Sequence, residues 1–192
     1  MTHPKCQKFV AAILFDYSQK IRHNTGMLYH QKNAHSGNII EIGDPVLGKK
    51  AASASDIGSA EMQGLITRMY EIMKLENGVG LAAPQINVSK QIAVIDLDGQ
   101  QFTLINPKII TRSPEMIIFT EGCLSVPDQE LPIIRHQKIT VQYIDANGMK
   151  NKLKASALLA VVCQHEIDHL NGILITDRYA QQKAIREEIN IS

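Results

Sequence analysis

The chain has 192 residues, 44% of them hydrophobic and 20% charged, enough for one globular domain with a sizeable core. A net charge of +1 gives no electrostatic case for direct nucleic-acid binding, and no apolar run approaches the ~20 residues needed to cross a membrane. The three cysteines, Cys6, Cys123 and Cys163, are too few and too scattered for a secreted disulfide framework, so a reducing, cytoplasmic location is expected.

Residues 1–38 read as a basic N-terminal extension. Up to Ile40 the single acidic residue is Asp16, set against Lys5, Lys8, Lys20, Arg22 and Lys32, with four histidines. The apolar run from Phe9 to Phe15 is short, ends at Asp16 and lacks a small-residue cleavage site, so it is not read as a secretory signal. An acid-poor leader keeps an organelle address open, although the segment is not rich in Arg or Ser. The preferred reading is an appended tail, or a start upstream of Met27.

From Ile39 the pattern is globular. Asp44-Pro45 and Gly48 punctuate a loop. A helix is expected from Ser55 or Asp56 to Glu76, burying Ile57, Met62, Leu65, Ile66, Met69, Ile72 and Met73, and ending at Asn77-Gly78. The next segment, Gly78 to Gln85, is dense in small residues, which let a ligand or backbone approach closely. It lacks the Lys of a phosphate loop and does not follow a strand.

Strands are expected over Gln91–Leu97, Phe102–Ile105, Met116–Thr120 and Lys138–Ile144, with Asn147-Gly148 turning into a return strand over Lys150–Lys154. A helix then spans Ala155–Leu170, with Ser156 as a candidate N-cap and Gly172 as its stop. A short C-terminal helix is expected over Asp177–Ile189. Strands grouped between helices predict an α+β fold, with mostly antiparallel sheet around a central helix.

That central helix carries His165-Glu166-Ile167-Asp168-His169. Residues four apart share a helix face, so both imidazoles can reach one ion, and Glu166 stands beside it as a base for a water. A catalytic metal site usually takes three protein ligands. A third His six residues after His169 would be position 175, which is Ile. Cys163 lies about 200° around the helix from His165 and reads as a small core residue. Glu187 or Glu188 could serve, close to the last residue of the sequence. Cys123, in Glu121-Gly122-Cys123-Leu124-Ser125, is the other candidate, because a thiolate binds a divalent ion well. Spacing alone leaves this choice open.

Together, GVGLAAPQ, EGCLS and QHEIDHLNG, in this order, closely resemble the three signature motifs of peptide deformylases of bacterial type. Ile42-Gly43-Asp44-Pro45-Val46-Leu47 resembles the opening of that family's domain, so residues 39–192 are expected to form the catalytic domain. The resemblance implies a hydrolase that removes the formyl group from N-formylmethionine of nascent polypeptides. It implies Cys123, His165 and His169 as ligands of one divalent metal, typically Fe(II), with Zn, Ni or Co as substitutes. Glu166 would be the general acid/base, Gln85 and the backbone N–H of Leu124 the oxyanion donors, and Gly80 a backbone contact for the peptide.

Val79, Leu158 and Val161 are candidate walls for a methionine pocket, since Leu158 and Val161 precede His165 by seven and four residues. The substrate's origin makes a transient ribosome contact an open expectation, though the balanced charge of Asp177–Ser192 is a poor anchor for RNA. The rival readings are a zinc peptidase using Glu187 or Glu188, and a non-catalytic metal- or peptide-binding protein. A zinc deaminase fails for lack of a Pro-Cys-x-x-Cys partner.

Overall fold

The computed structural model describes residues 39–188, with the Glu188 side chain excepted; the basic extension and Ile189 lie outside the described residues. Seven strands and four helices follow in order. They are α1 (Ala60–Leu75), β1 (Gly80–Ala82), β2 (Ile92–Leu97), β3 (Gln100–Arg112), β4 (Met116–Cys123), β5 (Val126–His136), β6 (Lys138–Ile144), β7 (Lys150–Ser156), α2 (Ala157–Leu170), α3 (Ile175–Gln181) and α4 (Lys183–Glu188). A five-stranded sheet runs β1-β2-β3-β6-β7, and β4-β5 form a separate two-stranded ribbon inserted between β3 and β6. Every strand pair is antiparallel, as the α+β reading requires.

The sheet is packed on both faces. Met62, Ile66, Met69 and Met73 of α1 meet Ile92, Val94 and Ile105 on one side. On the other, Ala160, Cys163 and Ile167 of α2 meet Ile95, Leu104, Ile139 and Val141. Each fully buried aliphatic side chain contributes roughly 1.5–3 kcal/mol, so these two layers dominate the fold's stability. They also hold α2 rigidly, and α2 carries both histidines.

Several boundaries differ from the sequence reading, each for a local reason. α1 starts at Ala60 because Asp56 and Gly58 take left-handed conformations, φ 55° and 93°, and Ser59 then caps the helix by accepting from the Met62 N–H at 3.2 Å. α2 starts at Ala157, since Ala155 and Ser156 pair with Ile139 and Lys138 as the end of β7; the Ser156 side chain makes no cap bond. At its other end, Gly172 has φ +74°, and a β-carbon there would meet the Gly48 carbonyl carbon at 2.7 Å.

β3 continues past Ile105 through Asn106-Pro107, where a register shift absorbs the proline. β5 was not expected at all, because two prolines and Asp128-Gln129-Glu130 make it read as loop. As an outer strand of a two-stranded ribbon it tolerates both prolines. The C-terminal helix is broken in two at Gln182, whose side chain bonds the N–H and C=O of Ile134, both at 2.9 Å.

Candidate metal centre

Two elements bring the site together. α2 presents His165 and His169 on one face, their ring centroids 4.8 Å apart and 71° between planes. The β4-β5 ribbon delivers Cys123 as the last residue of β4, just before the two-residue turn Leu124-Ser125. Cys123 Sγ lies 3.2 Å from His169 Nε2, and His169 Nε2 lies 3.1 Å from His165 Nε2. All three donor atoms fall within 4.8 Å of one another, and this is the one such group of three among the described residues.

Tetrahedral ligands at ~2.0–2.3 Å from one ion stand roughly 3.3–3.6 Å apart, so the two separations through His169 Nε2 are close to the edge lengths of a coordination tetrahedron. The donor chemistry also fits, with two imidazole nitrogens and one sulfur. These residues could hold a divalent metal. Glu187, by contrast, is 66% exposed and paired with Lys183 at 3.7 Å, which places it outside the site; the Glu188 side chain lies outside the described residues. Cys163 is fully buried in the core under α2, as its helix position predicts. Burial pushes its thiol up to about 12, with Glu166 adding to the shift.

Glu121 organises the centre, although the sequence reading gave it no role. Its Oε2 accepts from His165 Nδ1 at 2.9 Å, which orients the imidazole with Nε2 toward His169. Arg135 from β5 grips the same carboxylate at 2.7 and 2.9 Å, and reaches Asp168 of α2 at 2.5 Å. Arg178 of α3 closes on the far side of Asp168. Burial alone would raise the Glu121 pKa, but Arg135 and His165 overcome it and hold the carboxyl at about 2. Burial also opposes charge on both histidines. Cys123 and Glu121 nevertheless hold His165 well above the ordinary imidazole range, while burial and the neighbouring His165 hold His169 well below it.

The remaining candidates surround this centre. Gln85 is buried in the 3₁₀ turn after β1; its Oε1 accepts from the Ala82 N–H at 2.8 Å, which aims its NH2 at Ser125 Oγ (3.2 Å) and Cys123 Sγ (3.9 Å). Glu166 is 3% exposed and lies against Gly80, and its Oε2 has no hydrogen-bond partner. Burial raises its carboxyl to about 7. Leu124 sits in the turn after Cys123, and a β-carbon on Gly78 would meet its Cδ1 at 3.1 Å. Val79 and Leu158 pack against the same core cluster, and Val161 is buried one turn before His165. A buried acceptor beside an HExxH helix, two imidazoles, a thiol and an oriented amide are the parts of a metal-assisted amide hydrolase.

The comparisons with known proteins decide the family. The model of polypeptide deformylases matches residues 36–184. The chain belongs to the polypeptide deformylase family. It is 44% identical over 150 residues to the peptide deformylase of Dictyoglomus turgidum, covering 78% of this chain and 97% of that one. The Halothermothrix orenii peptide deformylase is 47% identical over 142 residues, covering 73% and 91%. Among solved structures, the Thermotoga maritima peptide deformylase superposes with a TM-score of 0.71 at 40% identity, covering 73% of this chain and 95% of that one. A class I type b peptide deformylase from Acinetobacter baumannii, solved with Met-Ala-Ser bound, gives a TM-score of 0.71 at 32% identity, with 73% and 96% covered. This deformylase is a metal-dependent hydrolase that removes the formyl group from N-formylmethionine of newly synthesised polypeptides, releasing formate. No described helix is long and apolar enough to cross a membrane.

Proposed function

We propose that Cys123 Sγ, His165 Nε2 and His169 Nε2 hold the deformylase's single divalent metal. The convergence of these three donors, 3.1 and 3.2 Å between neighbours, carries the reading. A divalent ion held there would supply Lewis acidity to the formyl oxygen and lower the pKa of a water from 15.7 toward about 7. Glu166 takes the proton of the attacking water and passes it to the leaving amine, a role suited to a carboxyl whose pKa is already near neutrality. The Gln85 NH2, locked by Ala82, and the Leu124 N–H donate to the oxygen as its charge develops. Gly80 offers backbone contacts to the peptide, and Val79, Leu158 and Val161 wall the methionine pocket. Only a hydrogen on the carbonyl carbon need be accommodated beside the donors, which favours formyl over larger acyl groups.

Fe(II) is the proposed metal in the cell, with Zn, Ni and Co able to occupy the same His/His/Cys set. Residues 39–192 are taken as the catalytic domain and residues 1–38 as an appended basic segment. A cytoplasmic site of action follows from where formylated chains are made, with an organelle as the alternative suggested by that segment. A transient ribosome contact follows from the same substrate; co-sedimentation lost on truncation after Tyr179 would assign it to the C-terminal helices. A Met-Ala-Ser complex of the Acinetobacter baumannii relative makes formyl-Met-Ala-Ser the natural first substrate. The test is formate release from that peptide by protein purified without oxygen, with metal assayed in the same sample. Activity dependent on metal, Cys123 and Glu166 is expected. Full metal content and activity after Cys123→Ala would overturn the ligand set.

A further inference from the structure

The two faces of the five-stranded sheet are unequally covered. α1 packs over Ile92, Val94 and Ile105, toward one end of its face. On that same face, register places Thr111 opposite Thr140, Lys108 opposite Gln142, Lys152 opposite Gln142, Lys154 opposite Thr140, and Lys138 opposite Ser156. Lys108, Thr111, Lys138, Gln142, Lys152 and Lys154 are all exposed. The alternate positions, Ile139, Val141 and Ala155, are buried against α2 on the opposite face.

β3, β6 and β7 contain Lys108, Arg112, Lys138, Lys150, Lys152 and Lys154 and no Asp or Glu. None of these six cations forms an ion pair among the described residues. With a whole-chain charge of +1, the residues outside these three strands are net acidic. The overall balance, which gave no case for nucleic acid, therefore averages a cationic face with an acidic remainder. A shallow groove of about 440 Å³ lies at one end of these strands, where Lys138, Thr140, Lys154 and Arg112 line it together with the apolar Ile139 and Ala155.

We propose that this face is a docking surface for the phosphate backbone of double-helical RNA. Charge complementarity is the argument, since an unpaired cluster of cations neutralises phosphates and releases counterions. The aromatic side chains of these strands, Phe102 and Tyr143, pack into the α2 core, so the face has no platform for stacking bases. Contact is then with phosphates and independent of sequence. A bilayer fits less well, because Ile110, 43% exposed, is the one exposed large apolar side chain of these strands, too little to insert. The enzyme's substrates are newly made polypeptides, and RNA is the polyanion present where they are made.

The test uses the full chain and a labelled short RNA duplex, with binding followed by anisotropy across a salt series. Lys138→Gln/Lys152→Gln/Lys154→Gln is compared with a charge-matched control, Lys49→Gln/Lys74→Gln/Lys183→Gln. Loss of three phosphate contacts should weaken binding at low salt by on the order of tenfold or more and lower the log–log salt slope by about 2–3. The control should bind RNA as the unaltered chain does, and both variants should release formate normally. No RNA binding by the unaltered chain at low salt, or equal loss in the two variants, would overturn the proposal. So would lysine-dependent binding to phosphatidylserine vesicles without binding to RNA. None of these cations is a proposed metal ligand or pocket residue, so the proposal's failure would leave the site assignment standing.

Discussion

Gly80 and Glu166 share space that admits no further atom: a β-carbon on Gly80 would lie 2.3 Å from Glu166 Oε1 and 2.9 Å from its carboxyl carbon. The edge strand β1 thus holds the carboxylate from the side opposite its own helix. Gly80→Ala forces Glu166 to turn away inside a packed interior. A displacement of about 1 Å at a reacting group can cost ~100-fold, so kcat for formate release should fall by about that factor. Metal content, which the proposed ligands on α2 and β4 would set, should stay unchanged. A Gly80→Ala enzyme of normal kcat would separate this contact from catalysis.

Glu166 also leaves a signature in stability that does not depend on turnover. Its carboxyl is pushed up from 4.5 to about 7 by burial, so the folded state binds the proton more tightly than the unfolded chain. Stability therefore falls as pH rises from 4.5 through 7 and carries the full cost of a buried charge above that. Glu166→Gln removes this cost. In metal-stripped protein, the stability gained by the variant over the unaltered chain should grow by about 2 kcal/mol between pH 5 and pH 8. Parallel pH slopes in denaturant titrations would show that Glu166 is not held in this environment. The same variant should keep its metal affinity and lose turnover by about 10²–10⁴-fold.

The sequence carried the helix with its two histidines, because a four-residue spacing on a regular helix is itself a geometry. It also placed Cys163 in the core correctly, from its angle around that helix. Cys123 was different, since nothing in local spacing shows that the end of β4 returns to α2. The motif resemblance supplied that pairing, and the 3.2 Å contact with His169 agrees with it. Arg135 was invisible because β5, with its prolines and acidic run, does not alternate as a buried strand does. Without β5 there was no reason to see Glu121 as anything but a residue before Gly122. Long-range ion networks depend on which strands meet, and local patterns do not encode that.

Glu121 is the clearest test of that network. It joins His165 Nδ1 on one side to Arg135 on the other, with its carboxyl held at about 2. Glu121→Gln keeps an acceptor of the same shape and removes the charge. Outer partners of metal-bound histidines typically change affinity by ~10–100-fold, and that loss is expected in competition titrations with a chelating dye. Arg135 keeps Asp168 but loses its second carboxylate, so stability should also fall, by roughly 1–3 kcal/mol. Unchanged affinity alongside lowered stability would restrict Glu121 to a structural role.

The two described cysteines should differ sharply in reactivity, and the difference reports on the metal. Cys163, its thiol pushed up to about 12 and fully buried, should resist iodoacetamide at pH 8 whether or not metal is present. Cys123 stands 3.2 Å from His169 Nε2 at the mouth of a turn, and chelation should expose it to modification. In a Cys6→Ala background, peptide mapping after brief alkylation should therefore find label on Cys123 only in stripped protein. Adding Zn or Ni before the reagent should protect it, because a coordinated thiolate loses its nucleophilic lone pair to the ion. Label on Cys123 that ignored added metal would argue that the thiol is not a ligand, and would return Glu187 and Glu188 to consideration.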